Sequence, residues 1–578
     1  MKKLLIAGAV LVAAGVGYYV LKPGGPGAPG APGAGLAALS GAKPGPLDHV
    51  PADTAFVFAN VEPMPKAVTQ AWMEQFAQVS GIYAMQAKMA EEALAKEDPD
   101  GPGVKWARAL AAEAKDRTPE QIMAELGIDL QMRYAVYEVG ARPVLRFELA
   151  DPAKTRAFIA RLEQSAGDRL PTAKIDALDY WHFTDPKGEL RLVAAIDGTQ
   201  LVLGFLSGSS DDAALRDALG LNPPKQSLAA SGKLVALNKE FGYTPYSSGY
   251  VDTRKVIALI DDAKPAADAP DAAALKATCD KDYDAIAAAM PRLVFGYTKL
   301  EAKAMEATML LQLREDIAQD LQPLPAPLPG ANAAADSALD FGFAMNLEAL
   351  ANFAHKRADA ILAAPYACPA LTDLNDGARK AKEQFANPGL YMAASAFNAV
   401  HVVASKFTMP KPGVEAAAAE PEFAGKLLIG SKSPAGLVGM LGSFAPQIAA
   451  LNLQPNGELK EVPADPTLPV KGPMHALMTE AAIGVSVGEG ESATLKEALA
   501  VDAGNKTLVA IGYGGEFFRA IFEQAAADAA QAEDPASIEL QKTMADLQKL
   551  YAESIEHIDI EVRVGARGIE FVQEARMK

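Results

Sequence analysis

Two short segments, ADTAFVF at residues 52–58 and ADSALDFGF at residues 335–343, carry the strongest information about the fold. Each begins with Ala-Asp, continues with a hydroxyl residue and an alanine, and leads into large apolar residues. Apolar residues that alternate with smaller or polar ones are typical of a strand with one buried face. The alanines at positions 52 and 335 are 283 residues apart. This recurrence indicates an internal duplication.

Further segments recur in the same order along the chain. The matching pairs are 144–152 with 427–434, 203–208 with 483–488, 234–236 with 508–510, 249–250 with 512–513, and a hairpin at 293–313 with a hairpin at 558–573. The offset falls to about 265 across the series, which predicts about 17 extra residues between Leu219 and Gly249 of the first copy. We therefore expect two tandem copies of one module. Chance recurrence of short apolar segments is the alternative.

Each copy mixes strands with helices. Helical periodicity extends over 65–94, 268–289, 347–364, 373–385 and 524–556. The strands lack the regular βαβ alternation and the Gly-rich first loop of a doubly wound fold. The expected fold class is therefore α+β, in which each copy has an antiparallel sheet with helices on one face and both copies follow an N-terminal transmembrane helix.

The first residues predict a membrane segment. Residues 4–21 (LLIAGAVLVAAGVGYYVL) carry no charge and follow Lys2 and Lys3. A helix of this length spans roughly 27 Å, enough to cross a thin bilayer, and the two lysines favour a cytoplasmic N-terminus. Neither a good cleavage site nor a lipid-modifiable cysteine follows, so we expect a retained anchor. A cleaved signal peptide and a buried core helix are the alternatives.

Two stretches rich in proline separate the expected parts of the chain, because proline and glycine favour extended linkers over packed structure. The predicted organisation is a membrane anchor or signal segment at 1–21, a Pro/Gly/Ala linker at 22–46, a first α+β module at 47–321, a Pro-rich linker at 322–334 and a second α+β module at 335–578. We expect a single-pass inner-membrane protein with most of the chain in the periplasm. Cleavage of the signal would instead give a soluble periplasmic protein.

Composition excludes one class of partner and offers no cofactor. The chain has 54 Lys and Arg against 72 Asp and Glu, a formal charge of −18, which argues against binding a nucleic-acid backbone. The histidines are at positions 49, 182, 355, 401, 475 and 557. None forms an HxH or HxxxH pair or combines with cysteine at zinc spacing, and no phosphate-binding loop occurs. We predict no metal ligands, no cofactor and no catalytic residues.

Cys279 and Cys368 are the only cysteines of the chain. Outside the cytoplasm an isolated pair favours a disulfide, here between the last helix of the first copy and the first helical region of the second. Two buried free thiols are the alternative. A nucleophilic cysteine is less favoured, because no histidine neighbours either residue in sequence.

Residues 179–185 (DYWHFTD) form the richest polar and aromatic cluster of the sequence. His182 with Asp179 or Asp185 could act as a general base in a hydrolase. A strand with alternating faces explains the same residues without any chemistry.

Residues 240–250 (EFGYTPYSSGY) lie at the end of the extra residues of the first copy, and only residues 249–250 have a counterpart in the second. Tyrosines in a loop offer a large contact area at low entropic cost, so Tyr243, Tyr246 and Tyr250 are the candidate binding surface. The alternative is a tyrosine-rich edge that packs against the sheet.

The anchor, the linker and the strand entry PADTA at 51–55 resemble uncharacterised bacterial envelope proteins that have an N-terminal membrane anchor and a large extracytoplasmic α+β region. The resemblance implies a location and no activity. We expect a non-enzymatic, membrane-tethered periplasmic protein that acts by binding or assembly in the envelope. The alternatives are a hydrolase that uses His182, and a carrier of a lipid or other apolar ligand. The expected partners are the membrane, through residues 4–21, and an envelope protein or apolar ligand.

Overall fold

A computed structural model gives the arrangement of most of the chain. It describes residues 45–77, 91–92, 94–96, 98–99, 101–114, 117–140, 142–184, 188–262, 272–331, 337–386, 397–407, 423–444, 446–463, 472–529 and 549–578. The predicted anchor at 4–21 and nearly all of the linker at 22–46 lie outside these residues. Within the described ranges, every helix is too short or too polar to span a bilayer.

The chain divides into two compact units. Unit 1 comprises residues 1–265 and 294–307, and unit 2 comprises residues 266–293 and 308–578. This division differs from the boundary expected at 322–334, because residues 266–293 and 308–321 group with the second unit.

Unit 1 is built on antiparallel strands. They are β1 Phe56–Ala59, β2 Tyr134–Val139, β3 Arg142–Glu148, β4 Thr172–Ile175, β5 Leu178–Thr184, β6 Leu190–Asp197, β7 Gln200–Ser207 and β8 Ser248–Asp252, followed by β9 Arg292–Glu301. The pairings give the order β8-β1-β2-β3-β7-β6-β5-β4. After β3 the chain passes to the edge strand β4, and β5, β6 and β7 then follow inward until β7 pairs with β3. Strand β8 pairs with β1 on its other side.

Several helices of unit 1 begin after a residue whose side chain caps the first turn. They are α1 Lys66–Ala77, α2 Pro102–Ala114, α3 Pro119–Glu125, α4 Pro152–Ala166, α5 Asp212–Leu219, α6 Leu228–Ser231, α7 Lys233–Phe241 and α8 Thr253–Asp262, after a 3₁₀ turn at Pro46–Asp48. The carboxylate of Asp151 accepts a hydrogen bond from Ala153 N–H at 3.0 Å, and Pro152 occupies the first turn of α4. Asp151 and Pro152 are thus the cap and the first-turn residue that start this helix.

Unit 2 is also antiparallel. Its strands are β11 Leu339–Ala344, β12 Ala399–Phe407, β13 Phe423–Gly430, β14 Lys460–Val462, β15 Met474–Met478, β16 Ala482–Val487, β17 Thr507–Gly514, β18 Ile555–Gly565 and β19 Gly568–Met577, preceded by β10 Ala304–Gln312, through which the boundary between the units passes. The pairings give the order β19-β18-β17-β11-β12-β13-β16-β15-β14. Mixed helices and antiparallel strands confirm the α+β fold class.

The helices of unit 2 lie on both faces of its sheet. They are α9 Ala272–Ala289, α10 Glu315–Leu321, α11 Leu347–Ala363, α12 Thr372–Phe385, α13 Pro434–Phe444, α14 Pro446–Ala450, α15 Leu495–Ala498 and α16 Gly515–Ala529, with 3₁₀ turns at Pro369–Leu371 and Glu491–Thr494. Leu428 packs with α15, whereas its neighbour Ile429 packs with α13. Adjacent residues of a strand point to opposite faces, so the expectation of helices on one face is wrong for unit 2.

The Pro-rich stretch is not a free linker where the structure describes it, at residues 322–331. Leu324, Ala326 and Leu328 are buried between the prolines. Isolated bridges join Pro325 to Met345 and Pro329 to Val501. The prolines keep the chain extended, and the apolar residues between them turn into the core of unit 2. Residues 332–334 lie outside the described part.

One of the matched segments differs between the units. Residues 234–236 lie in helix α7, whereas residues 508–510 lie in strand β17. Leu234 and Leu237 are buried on one side of α7, at the spacing of a helix rather than a strand. Helices α6 and α7 lie between Leu219 and Gly249, the stretch in which the sequence predicts extra residues for the first copy.

Candidate functional site

The predicted tyrosine surface does not exist as an exposed loop. Tyr250 lies in strand β8 opposite Val57 and is 2% exposed, and Tyr243 is 8% exposed. Tyr243 stacks on Phe241, with ring centroids 5.8 Å apart. Tyr246 is half-buried. Two of the three side chains are thus packed in the interior, as in the alternative interpretation of a tyrosine-rich edge.

Strand geometry explains the tyrosine packing. Glycine at 296 leaves room for the Tyr243 ring, because a Cβ at that position would lie 2.6 Å from Tyr243 Cγ. The ammonium of Lys233 lies 3.0 Å from the Tyr250 hydroxyl and 4.4 Å from its ring centroid. Each buried aromatic ring therefore has an apolar or cationic contact inside unit 1.

His182 and Asp179 both lie on strand β5 and are three residues apart. An odd separation along a strand turns two side chains to opposite faces, so the structure does not bring this pair together. Asp185 lies outside the described residues. His182 packs against Tyr180, and burial together with the charge of Arg191 lowers the pKa of its imidazole.

Cys279 and Cys368 form a disulfide with Cα atoms 4.6 Å apart. Nearby, the Asp282 carboxylate accepts hydrogen bonds from the backbone N–H groups of Ala367 at 2.6 Å and Cys368 at 2.7 Å. These contacts attach helix α9 to the segment before α12. They give a physical reason why residues 266–293 belong to unit 2.

Unit 1 has a buried cation at its centre. Arg146 on β3 is fully buried, and its guanidinium donates to Gln200 Oε1 at 3.0 Å, to Asp197 Oδ2 at 3.3 Å and to the Leu219 carbonyl at 2.7 Å. Nearby, burial and the charge of Arg146 lower the pKa of His49. The carbonyl and amide partners of Arg146 belong to the fold, so we interpret this cluster as structural.

Unit 2 contains a second polar cluster, which we call the His–Asp cluster and which consists of Asp340, His401, His557 and Asp559. Asp340 lies on β11, His401 on β12, and His557 and Asp559 on β18. Asp340 is paired with Gly512 and Gly512 with Asp559, so the two aspartates face the same side of the sheet. The histidines are each two positions away in register and share that face.

Hydrogen bonds fix Asp340 and His401. His401 Nδ1 donates to the Pro329 carbonyl at 2.8 Å, because a carbonyl oxygen only accepts. His401 Nε2 lies 3.4 Å from Asp340 Oδ2, and Ser337 donates to Asp340 Oδ1 at 3.0 Å. The packed Pro-rich stretch thus orients one histidine of the cluster.

His557 and Asp559 complete the cluster. His557 Nε2 lies 3.1 Å from Asp559 Oδ1, but this nitrogen has no hydrogen-bond partner among the described residues. The side chain of His557 is 2% exposed, whereas that of Asp559 is 30% exposed. Arg576 Nη1 lies 3.5 Å from the other oxygen, Asp559 Oδ2. The cluster is therefore buried on the His557 side and reachable by solvent at Asp559.

Glycine at position 512 makes this arrangement possible. A Cβ there would overlap Asp340 Oδ1 and would lie 2.8 Å from His557 Nε2. Any other residue would fill the space that the carboxylate and the imidazole share. The cluster thus occupies the space that a side chain at position 512 of β17 would fill.

The sequence analysis missed this cluster because its members come from three separated strands. Of its members, only His401 carried a signal, because it interrupts the apolar run AVHVVA and a polar residue there needs a partner. Asp340 in LDFGFA, and His557 and Asp559 in IEHIDIEV, alternate with large apolar residues, which predicts the solvent face of an ordinary strand. In the structure Asp340 and His557 are buried instead.

Comparisons with protein-family models, with curated proteins and with solved structures found no match to this chain. The cluster is therefore interpreted from its own chemistry. Imidazole nitrogens and carboxylate oxygens can ligate a divalent metal or hold a proton between them. Asp340, His557 and Asp559 place one such atom each within 4.8 Å of one another.

Proposed function

We propose that the chain is a membrane-tethered protein of the cell envelope, with two related α+β modules outside the cytoplasm, and that it acts by binding rather than by catalysis. The observation that carries the location is the disulfide between its only two cysteines, Cys279 and Cys368. Disulfides persist in oxidising compartments and are rare in the cytosol. The uncharged residues 4–21 and the linker at 22–46 would supply the tether.

The proposal of two related modules is supported by the order of the strands. In unit 1 the order β8-β1-β2-β3-β7-β6-β5 uses the same sequence of chain returns as β17-β11-β12-β13-β16-β15-β14 in unit 2. The first strand of each module along the chain, β1 or β11, stands second in its order. A hydroxyl residue precedes it in each case, Thr54 or Ser337, and both are buried. Duplication explains this agreement more economically than two independent origins.

The location is tested by fractionating cells that express the full chain with a C-terminal tag. We expect the protein in the membrane fraction, accessible to protease once the outer membrane is opened, with Cys279 and Cys368 unreactive to alkylation until a reductant is added. A variant without residues 1–21 should stay inside the cell with both thiols reactive. Recovery of the full chain in the cytosol, with thiols that react before reduction, would contradict the proposal.

A second candidate function, binding of a lipid acyl chain, is favoured by one face of the sheet in unit 2. Phe341, Leu427 and Phe571 are 47%, 39% and 40% exposed. Phe341 is paired with Val402 and Val402 with Leu427, so these three residues form one row on the face opposite the His–Asp cluster. Phe571 lies on the same face, in register with Phe343. Large exposed apolar patches are uncommon unless something covers them.

Helices border this apolar face at two sides. Leu437 of α13 packs against Ile429 and Ile483 at one end, and Phe517 of α16 contacts Tyr513 at the other, with ring centroids 5.7 Å apart. The strip between them has the width of a few strands and is apolar. A hydrocarbon chain from the nearby membrane is the occupant that suits this surface.

Binding of a fluorescent long-chain fatty acid to the purified chain tests this candidate. We expect saturable binding that Phe341→Glu weakens at least tenfold, because a carboxylate would then face the hydrocarbon. Leu374→Glu, on exposed helix α12, is the matched control and should bind as the unaltered chain does. Equal binding by both variants, or no saturable binding at all, would exclude this face as the site.

A further inference from the structure

We propose that unit 2 holds a divalent transition-metal ion, Zn²⁺ in the first instance, with Asp340, His557 and Asp559 as its protein ligands. This inference is independent of the proposed location and of the apolar face. One imidazole and two carboxylates are a donor set that suits zinc and its first-row neighbours. Three protein ligands leave a further position for water or a bound molecule.

The distances permit a common ion. The ligand atoms of Asp340, His557 and Asp559 all lie within 4.8 Å of one another. Bonds of about 2.0–2.2 Å to zinc place neighbouring ligand atoms roughly 3.5 Å apart. A small rotation of the side chains brings the ligand atoms to this spacing, and Asp559, which is 30% exposed, has the most freedom to make it.

An independent observation points to a missing ligand. His557 is 2% exposed, yet its Nε2 has no hydrogen-bond partner among the described residues. Nearly all buried polar atoms in folded proteins have a partner, because an unsatisfied one loses its hydration without compensation. Nε2 lies 3.1 Å from Asp559 Oδ1 but makes no hydrogen bond to it. Two ligand atoms that bind the same ion have this kind of spacing.

Hydrogen bonds around Asp340 orient its carboxylate as the outer contacts of a metal site orient a ligand. Asp340 is oriented by Ser337 and by His401, which is itself fixed by the Pro329 carbonyl. Such outer contacts hold a ligating carboxylate in place. The space that Gly512 leaves open lies between Asp340 Oδ1 and His557 Nε2. An ion can therefore approach both atoms without displacing a side chain.

The local charges are compatible with a divalent cation. Two carboxylates face the proposed position, and they offset the charge of the ion. Arg576 on the adjacent strand β19 lies beside Asp559 Oδ2, 3.5 Å from its Nη1. Arg576 can thus hold the outer oxygen while the inner oxygen binds the ion. The partial exposure of Asp559 provides the route of entry.

The test uses the full chain in detergent, stripped of metal with a chelator and then titrated with Zn²⁺ by calorimetry and with Co²⁺ by visible absorption. We expect one equivalent of Zn²⁺ to bind and a Co²⁺ band to appear. His557→Gln should weaken Zn²⁺ binding at least a hundredfold and abolish the band. His355→Gln, at a half-buried histidine on helix α11 of the same unit, is the matched control and should change neither.

A second variant keeps the test decisive if His557→Gln does not fold. Asp559→Asn alters the more exposed ligand and should also weaken Zn²⁺ binding at least tenfold while the circular dichroism spectrum stays the same. His401→Gln, a positioning change, should weaken binding about tenfold without abolishing the Co²⁺ band. Absence of Zn²⁺ binding by the unaltered chain, or equal binding by the unaltered chain and Asp559→Asn, would overturn the proposal and leave a purely structural His–Asp network.

Discussion

Single positions decide what the interior of each unit can hold, and the glycine at 512 is the clearest case. A methyl group there would collide with Asp340 and press on His557, two side chains that meet in the space above it. Both are held by neighbouring strands and cannot retreat freely. The identity of one residue on β17 therefore sets whether the His–Asp cluster exists at all.

Gly512→Ala should lower the free energy of unfolding by about 1–3 kcal/mol, because overpacking forces buried side chains away from their preferred positions. Gly377→Ala in helix α12 is the matched control, and it should raise the free energy of unfolding. Its Cβ would meet no atom within 4 Å, and alanine favours a helix by about 0.5–1 kcal/mol over glycine. Chemical denaturation of both variants measures the difference. A stabilising effect at 512 would mean that the space around Asp340 is larger than described.

Arg146→Met should destabilise the chain by about 2–4 kcal/mol, because it leaves the Leu219 carbonyl and the Gln200 amide without their buried donor. Arg216→Met is the matched control, since Arg216 pairs with Asp176 at 2.6 Å on the surface and should have a much smaller effect. Equilibrium denaturation in urea compares the two. Similar losses for both variants would contradict the role assigned to burial at Arg146.

At the scale of elements, charged side chains join the helices that border the sheet of unit 1. Glu113 on α2 pairs with Arg117 and with Arg161 on α4, and Arg161 also reaches Glu125 on α3 at 2.6 Å. Burial acts to raise the pKa of Glu113, but the hydrogen bonds and charges of the two arginines together outweigh it and lower the pKa. Glu113 and Glu125, bridged by Arg117 and Arg161, thus link the three helices.

This link predicts a pH dependence with a definite sign. A carboxyl whose pKa is lowered by folding contributes stability above its unfolded value of about 4.5, and this contribution disappears as the pH falls through the folded value. Glu113→Gln should therefore cost about 1 kcal/mol at neutral pH and progressively less in acid. Urea denaturation across the acidic range measures it. In an Arg117→Met, Arg161→Met background the same change should cost little, and a cost that persists there or grows in acid would exclude the ion pairs as its cause.

Elements with strong local signals could be predicted from the sequence, and their ends less well. The helical pattern at 347–364 corresponds to α11 Leu347–Ala363, and that at 373–385 to α12 Thr372–Phe385. The pattern at 524–556 is displaced, because α16 begins at Gly515 and strand β18 begins at Ile555. Residues 234–236 match residues 508–510 in sequence yet lie in a helix rather than a strand, because Leu-Val-Ala suits both a strand and a buried helix face.

At the scale of the whole molecule, antiparallel strands mixed with helices followed from alternation and turn signals, but the boundary between the units did not. Proline marked residues 322–331 as extended, yet extension alone does not show whether a stretch is solvated or packed. The His–Asp cluster was out of reach for the same kind of reason. Its residues are up to 219 positions apart, from Asp340 to Asp559, and only strand register brings them together. Local pattern predicts elements, whereas long-range pairing assembles sites.

The disulfide gives the molecule a last testable property, because it lies wholly within unit 2. Cys279 and Cys368 are 89 residues apart, and closing a loop of that length stabilises a chain by about 4.6 kcal/mol in the chain-entropy description. Replacing both with serine should therefore reduce the protection of amides in unit 2 from hydrogen exchange, most of all in α9 and in α12, which follows Cys368. Protection in strands β2, β3 and β7 of unit 1 should remain unchanged and serves as the internal control. Equal loss of protection in both units would show that they unfold as one cooperative body, whereas no loss in unit 2 would show that Asp282 and the packing around α9 hold this helix without the covalent bond.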